Sequence, residues 1–281
     1  MSLLDRILRD ARSIEKSANS LPYDEKDIRR TFFLKIVGCI SNFYYGHGML
    51  EMCRLVKAGE LRIPNTFTKE ELYHPNNFLS ILRDPNYTGY KSSLNRYLII
   101  DTWAAFEFSI TEILSYFIND DRLQHLSLYQ FHDVIKILES IPNFIIEEKI
   151  LKKFERKLKL KHLPINRKTN ELFKLYSGEY SRDKKADKKF LDYFGKLRNC
   201  MHNNFIYKGN NYEYIFNGIK TMFKNNEFLW FSCTEDDIPY FILKLINELI
   251  IIFKSLIQGI IYKKIILDPM TTNNKINAKT P

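Results

Sequence analysis

The chain has 281 residues, 45% hydrophobic and 27% charged, with a net charge of +10. That length is enough to bury a real core in one large domain or two small ones, and the composition is that of an ordinary globular protein. The basic surplus suits a polyanion such as RNA or DNA, or an acidic membrane surface. It bears on partners rather than on fold.

Gly and Pro number only 10 and 9, which favours long helices over many short turns. Cys39, Cys53, Cys200 and Cys233 lie far apart with no C-x-x-C pair, which signals neither a zinc site nor a disulfide framework. A reducing, cytoplasmic compartment follows. The opening MSLLDRILRD is charged and lacks the apolar run of a secretory signal.

Leu3, Leu4, Ile7, Leu8, Ala11 and Ile14 form one stripe at helical spacing and predict a helix over 3–17. Asp24 or Glu25 opens a second, over about 26–58. Residues 59–90, with Pro64, Pro75 and Pro85, read as a connection with one short helix at 69–73. Ser92 or Ser93 is a plausible cap for a helix over 94–118, rich in Leu98, Trp103, Phe106, Ile110 and Leu114. Ser127 caps a helix to about 140, and Pro142 sits in the first turn of another that Pro164 ends. Residues 164–186 read as irregular, with a short helix near 171–176. Asp187 begins a helix that runs to His202.

The stretch 205–233 changes character. Phe205, Ile206, Tyr207, Tyr212, Tyr214, Ile215, Phe216, Leu229 and Trp230 are aromatic or apolar, and the turn signals Lys208-Gly209-Asn210-Asn211 and Lys224-Asn225-Asn226 break the run. This predicts a two- or three-stranded insertion. Asp236 or Asp237 caps a last amphipathic helix over 238–261. Lys244, Glu248, Lys254 and Gln258 interrupt it too often for a membrane span. Residues 268–281 read as a disordered tail.

Two segments are strongly basic. Lys149 to Lys168 holds Lys152, Lys153 and Arg156 among nine cations against Glu155, and Arg182 to Lys189 holds Lys184, Lys185 and Lys188. Lysines three and four apart share a helix face and repel unless an anion sits there. Phosphate neutralisation would relieve that repulsion, with a steep salt dependence. Solvation of the face is the commoner meaning of such a run.

Within Asp187 to His202, Phe190, Phe194, Leu197 and Met201 fall inside roughly 60° of arc at about 100° per residue and form the buried stripe. Arg198 and His202 lie at its border, four residues apart on one face. Histidine exchanges a proton near neutral pH, and the guanidinium fork matches a phosphate. Together they supply the minimum for RNA cleavage by a ribose 2′-OH. The spacing alone is a weak signal.

Leu197-Arg198-Asn199-Cys200-Met201-His202-Asn203-Asn204 resembles the signature of the HEPN superfamily of helical-bundle ribonucleases and toxins, in which Arg, often followed by Asn, precedes a His late in the bundle. Asp101 to Glu107 is similar to the bundle's early helix. The resemblance covers roughly residues 92–265, and its Arg-to-His gap is shorter than is usual in the family. It implies an all-α helical bundle of HEPN type over 91–267 with a small β-hairpin insertion before the last helix. Residues 1–90 form a separate N-terminal helical region. It further implies a metal-independent endoribonuclease, a homodimer with two motifs facing one cleft, acting as a toxin or antiphage effector. RNA is then the substrate, with an antitoxin or regulatory protein as partner and no cofactor. Arg198, His202 and Asn199 are the implied catalytic residues. Asn203 supports them or ends the helix, and Glu107 pairs with Arg198 or is an ordinary surface acid.

Two further readings compete. One is a non-catalytic helical module that binds RNA, a nucleotide or a protein. The other is a membrane-surface protein using the basic helix at 149–161. His47, between Gly46 and Gly48, is either exposed by its glycines or part of a helix irregularity. His74, His125, His132 and His162 have no partners at ligand spacing. P-loop, G-x-G-x-x-G and G-x-S-x-G motifs are missing, which removes support for nucleotide hydrolysis and serine-hydrolase chemistry.

Overall fold

The structure is a computed structural model, and it describes residues 2–61, 87–119, 122, 126, 140, 163–175, 180–259 and 264–273. Among these the chain is mostly helical, with α1 (Leu3–Asn19), α2 (Ile28–Lys57), α3 (Tyr87–Ser115), α4 (Ile165–Lys174), α5 (Lys184–His202), α6 (Ile238–Gln258) and α7 (Pro269–Asn273). Strands β1 (Tyr212–Phe216), β2 (Ile219–Phe223) and β3 (Trp230–Phe231) form one antiparallel sheet in the order β1-β2-β3. The helices expected at 69–73, 127–140 and 142–161 lie outside the described residues.

Two compact units divide the chain. The first takes Met1–Leu21, Phe33–Ala104 and Tyr193–Ile250, and the second takes Pro22–Phe32, Ala105–Asp192 and Ile251–Pro281. In the first unit, α1 starts with a capping box in which Ser2 and Asp5 satisfy each other's backbone N–H. Its inner face buries Ile7, Ala11, Ile14 and Ala18. Asp10 on the same face accepts a hydrogen bond from Asn247 of α6 at 3.3 Å. Gly46 of α2 lies against Leu94 of α3, where an added Cβ would come within 2.5 Å of Leu94 Cδ2. The glycines beside His47 therefore do not expose it. Gly46 permits close helix packing, and His47 is buried.

The sheet of this unit packs on α5 and α6. β1 and β2 pair in register from Tyr212↔Phe223 to Phe216↔Ile219. The two-residue turn between them is Asn217-Gly218, with φ of 48° and 78°. Positive φ at both central positions is the type I′ geometry that matches strand twist, and Asn-Gly is its preferred pair. Tyr193 of α5 stacks on Tyr214 at 4.3 Å, and its hydroxyl shares a hydrogen bond with Thr221 at 3.0 Å. Phe231 meets Phe241 of α6 at 5.7 Å between centroids.

The second unit is anchored by a buried ion pair. Asp27, and not Asp24 or Glu25, opens α2, and its Oδ1 accepts the Arg29 backbone N–H at 2.9 Å. The Arg29 guanidinium grips the same carboxylate at 2.6 Å and donates to the Lys264 carbonyl at 2.8 Å. Asp27 also accepts from the Ile266 N–H, and Thr31 donates to Asp268 at 2.7 Å. These bonds hold Asp268 fully buried just before α7, so a helix stands within the stretch expected to be a disordered tail. Phe32, Phe106 and Phe253 pack together in the core of the unit.

Three further helix starts differ from expectation. α3 begins at Tyr87, and Ser93 stands inside the helix, where it donates its hydroxyl to the Gly89 carbonyl at 2.9 Å instead of capping it. α4 begins directly after Pro164 and runs longer than the sequence suggests, burying Leu172 and Phe173. α5 begins at Lys184, capped by Asp183, whose carboxylate accepts the N–H groups of Lys185 and Ala186. Asp187 lies inside α5 and is buried, held by Arg182 at 2.9 Å and by the Tyr180 hydroxyl at 2.6 Å.

Candidate functional site

The expected stripe of α5 is buried: Phe190, Phe194, Leu197 and Met201 are all interior. Leu191, Tyr193 and Cys200 join them, so the apolar face is wider than four residues suggest. Two contacts fix the C-terminal half of the helix. Trp103 of α3 stacks on Phe194 at 5.3 Å with the planes 12° apart. Gly195 follows, and an added Cβ there would meet Trp103 Cζ2 at 3.3 Å. The missing side chain thus lets the indole lie close to the backbone, one turn before Arg198.

Arg198 is half-buried, and Asn199 and His202 are exposed. Arg198 Nη1 donates to Asn199 Oδ1 at 3.0 Å, which ties the guanidinium to its neighbour. Arg198 Nε is buried and has no hydrogen-bond partner among the described residues. At i and i+4 the Arg198 and His202 side chains leave the same face, with Cβ atoms about 6 Å apart by helix geometry.

The chain reverses directly after His202. The N–H of Asn203 bonds back to the Asn199 and Cys200 carbonyls, and the N–H of Phe205 reaches Cys200 at 2.9 Å. Asn204 and Phe205 have φ of 53° and 66°. Asparagine enters this left-handed region readily and ends helices there, whereas phenylalanine is strained by roughly 1–2 kcal/mol. The strain is held by cross-links from Tyr207 and Phe205 to residues 226–229. Asn203 and Asn204 therefore form the helix stop, with Asn203 exposed beside His202.

Arg96 was not among the expected site residues. It is half-buried on α3, its Nη1 donates to Asn204 Oδ1 at 3.4 Å, and its guanidinium lies over the Tyr97 ring at 5.1 Å. Its Nε, like that of Arg198, is buried and unpartnered among the described residues. One signal could have found it: Arg96 lies seven residues before Trp103, two turns along the same helix face. Trp103 reaches Phe194 of α5, and Arg96 reaches Asn204 in the turn that follows α5.

Glu107 and the three described lysines belong to the second unit. Glu107 accepts from the buried Lys168 ammonium at 3.4 Å. Burial pushes Lys168 below the ordinary lysine range, and Glu107 opposes that shift. Lys184 and Lys185 are exposed and Lys188 is half-buried on the first turns of α5. Lys152, Lys153 and Arg156 lie outside the described residues.

No group of three or more potential metal ligands is found among the described residues, and Cys39, Cys53, Cys200 and Cys233 form no disulfide. No described helix is long and apolar enough to cross a membrane. No family model, curated protein or solved structure matches the chain.

Proposed function

We propose that this chain is a metal-independent endoribonuclease of HEPN type, acting as a toxin or antiphage effector. The observation that carries the reading is the pairing of Arg198 and His202 one turn apart at the exposed end of α5, where the backbone reverses. His202 takes the proton of a ribose 2′-OH. The 2′-oxygen then bonds to phosphorus, the P–O5′ bond breaks, and the leaving oxygen is protonated. Proton transfer of this kind contributes roughly 10²–10⁴-fold. Arg198 stabilises the charge gathering on the non-bridging oxygens, and Asn199 positions its guanidinium. In a homodimer two such motifs face one cleft, and the second imidazole supplies the acid. Arg96 adds a guanidinium at the same helix end. Lys184, Lys185 and Lys188, with Lys152, Lys153 and Arg156, hold the RNA backbone electrostatically.

The test is cleavage of single-stranded RNA by purified protein in the presence of a chelator, with His202→Ala beside wild type. Loss of cleavage in the variant supports the assignment, and undiminished cleavage removes it.

One observation favours a second reading, a non-catalytic module that binds a protein partner. Ile215, Phe228 and Trp230 of the sheet region are 60%, 71% and 48% exposed. The strand register puts Ile215 and Trp230 on one face of the sheet, level with Lys220 and Met222 of β2, and large exposed apolar side chains sharing a face suit a partner surface. Under this reading the antitoxin or regulatory partner docks on the sheet, and His202→Ala leaves its binding unchanged.

A further inference from the structure

In the second unit, a cavity of about 480 Å³ is lined by Arg122, Arg167, Glu171, Lys174, Lys184 and Lys188 among others. The one carboxylate in that set is already occupied. Arg122 grips Glu171 through two nitrogens at 2.9–3.1 Å, and Lys174 Nζ binds it at 2.6 Å. The nearby acids of the α5 start are occupied too: Asp187 is bound by Arg182 and Tyr180, and Asp183 caps the helix backbone.

Lys184 and Lys188 have no acidic partner among the described residues. Their ammonium groups lie 5.0 and 5.3 Å from the centre of the same Phe173 ring, and Lys184 donates to the Phe173 carbonyl at 3.3 Å. Two ammonium groups over one ring are held near each other. Burial, reinforced by the charges of Lys184 and Lys174, lowers Lys188 below the ordinary lysine range. A second concavity of about 470 Å³ on the same lysines adds Lys185 and Lys189, with Asp192 as its one carboxylate against four lysines. The arrangement repels itself when empty and is relieved by anionic oxygens. Phe173 is buried beneath the lysines, so the wall presents charge and offers no open ring on which a base could stack.

We propose that the concavity framed by Lys174, Lys184 and Lys188 binds a run of adjacent phosphate groups, supplied by a nucleic-acid backbone or by a free polyphosphate or nucleotide. A cavity of several hundred cubic ångströms with cations on several walls suits consecutive phosphates better than one. The site stands on its own geometry and does not depend on whether His202 cleaves RNA.

The experiment is calorimetric titration of the full chain with inorganic tripolyphosphate at low salt. Lys184→Gln and Lys188→Gln are compared with wild type and with Lys224→Gln, which removes one exposed charge in the other unit, directly after β2. Saturable binding by wild type is expected, weakened on the order of tenfold by each pocket substitution and unchanged by Lys224→Gln. Unfolding midpoints without ligand establish that the variants fold. Competition with a 2′-O-methyl oligouridylate, which cannot be cleaved through its 2′-oxygen, distinguishes the sources. Displacement of tripolyphosphate identifies a backbone site, and failure to displace it identifies a site for free polyphosphate. Absence of saturable binding, or equal weakening by all three substitutions, overturns the proposal.

Discussion

Lowering the pH should destabilise the fold through His47. The imidazole is 7% exposed, packs edge-on against Phe43 at 4.4 Å, and has its Nε2 buried without a partner among the described residues. Burial first, and the Lys91 charge second, push it down to about 4 from the ordinary 6.5. Below 6.5 the unfolded chain takes up a proton that the folded chain refuses, so stability falls with pH until the folded group also titrates near 4. At about 1.36 kcal/mol per pH unit, the loss between pH 7 and pH 5 is about 2 kcal/mol. The assay is urea unfolding of wild type and His47→Leu at pH 7, 6 and 5. Other titrating groups are common to both proteins and cancel in the difference. The variant's stability relative to wild type should improve by about 2 kcal/mol on going to pH 5. Parallel pH profiles for the two proteins would exclude His47 as a source of the pH dependence.

Asp27→Ala leaves the Arg29 guanidinium buried without its carboxylate and should cost about 3–5 kcal/mol, read as a lower urea midpoint. Gly218→Ala forces a Cβ into a φ of 78° at the hairpin turn and should cost about 1 kcal/mol in the same assay. Arg198→Lys keeps the charge but loses the planar fork. Cleavage should fall roughly 10²-fold while RNA affinity changes little, checked by single-turnover kinetics beside filter binding.

The helices α1 and α6 were legible because each carries an apolar stripe at helical spacing, and α6 also has Asp236 and Asp237 at its start. The buried face of α5, with Arg198 at its border, followed from the same periodicity. The start of α3 was not legible, since a serine caps a helix or bonds back to the carbonyl four residues earlier with equal local chemistry. Ser93 does the second, and only the packed structure decides. The Asn217-Gly218 turn is a two-residue signal in its own right, but two neighbouring polar turns compete with it for the role of hairpin closure. Arg96 was hidden for a different reason. Its bond to Asn204 spans 108 residues, so the periodicity of α3 places it on the face of Trp103 without naming its partner. Lys168 likewise reads as one cation in a basic run, yet it is buried against Glu107.

The role proposed for His202 is proton transfer in an RNA-cleaving site. Its most direct test is the 5′-labelled single-stranded RNA assay with chelator, wild type against His202→Ala, with the fragment ends analysed. Wild type should release fragments ending in 2′,3′-cyclic phosphate, and the variant should be slower by roughly 10²–10⁴-fold. Equal cleavage by both proteins, or intact RNA with both, would rule out that role for His202.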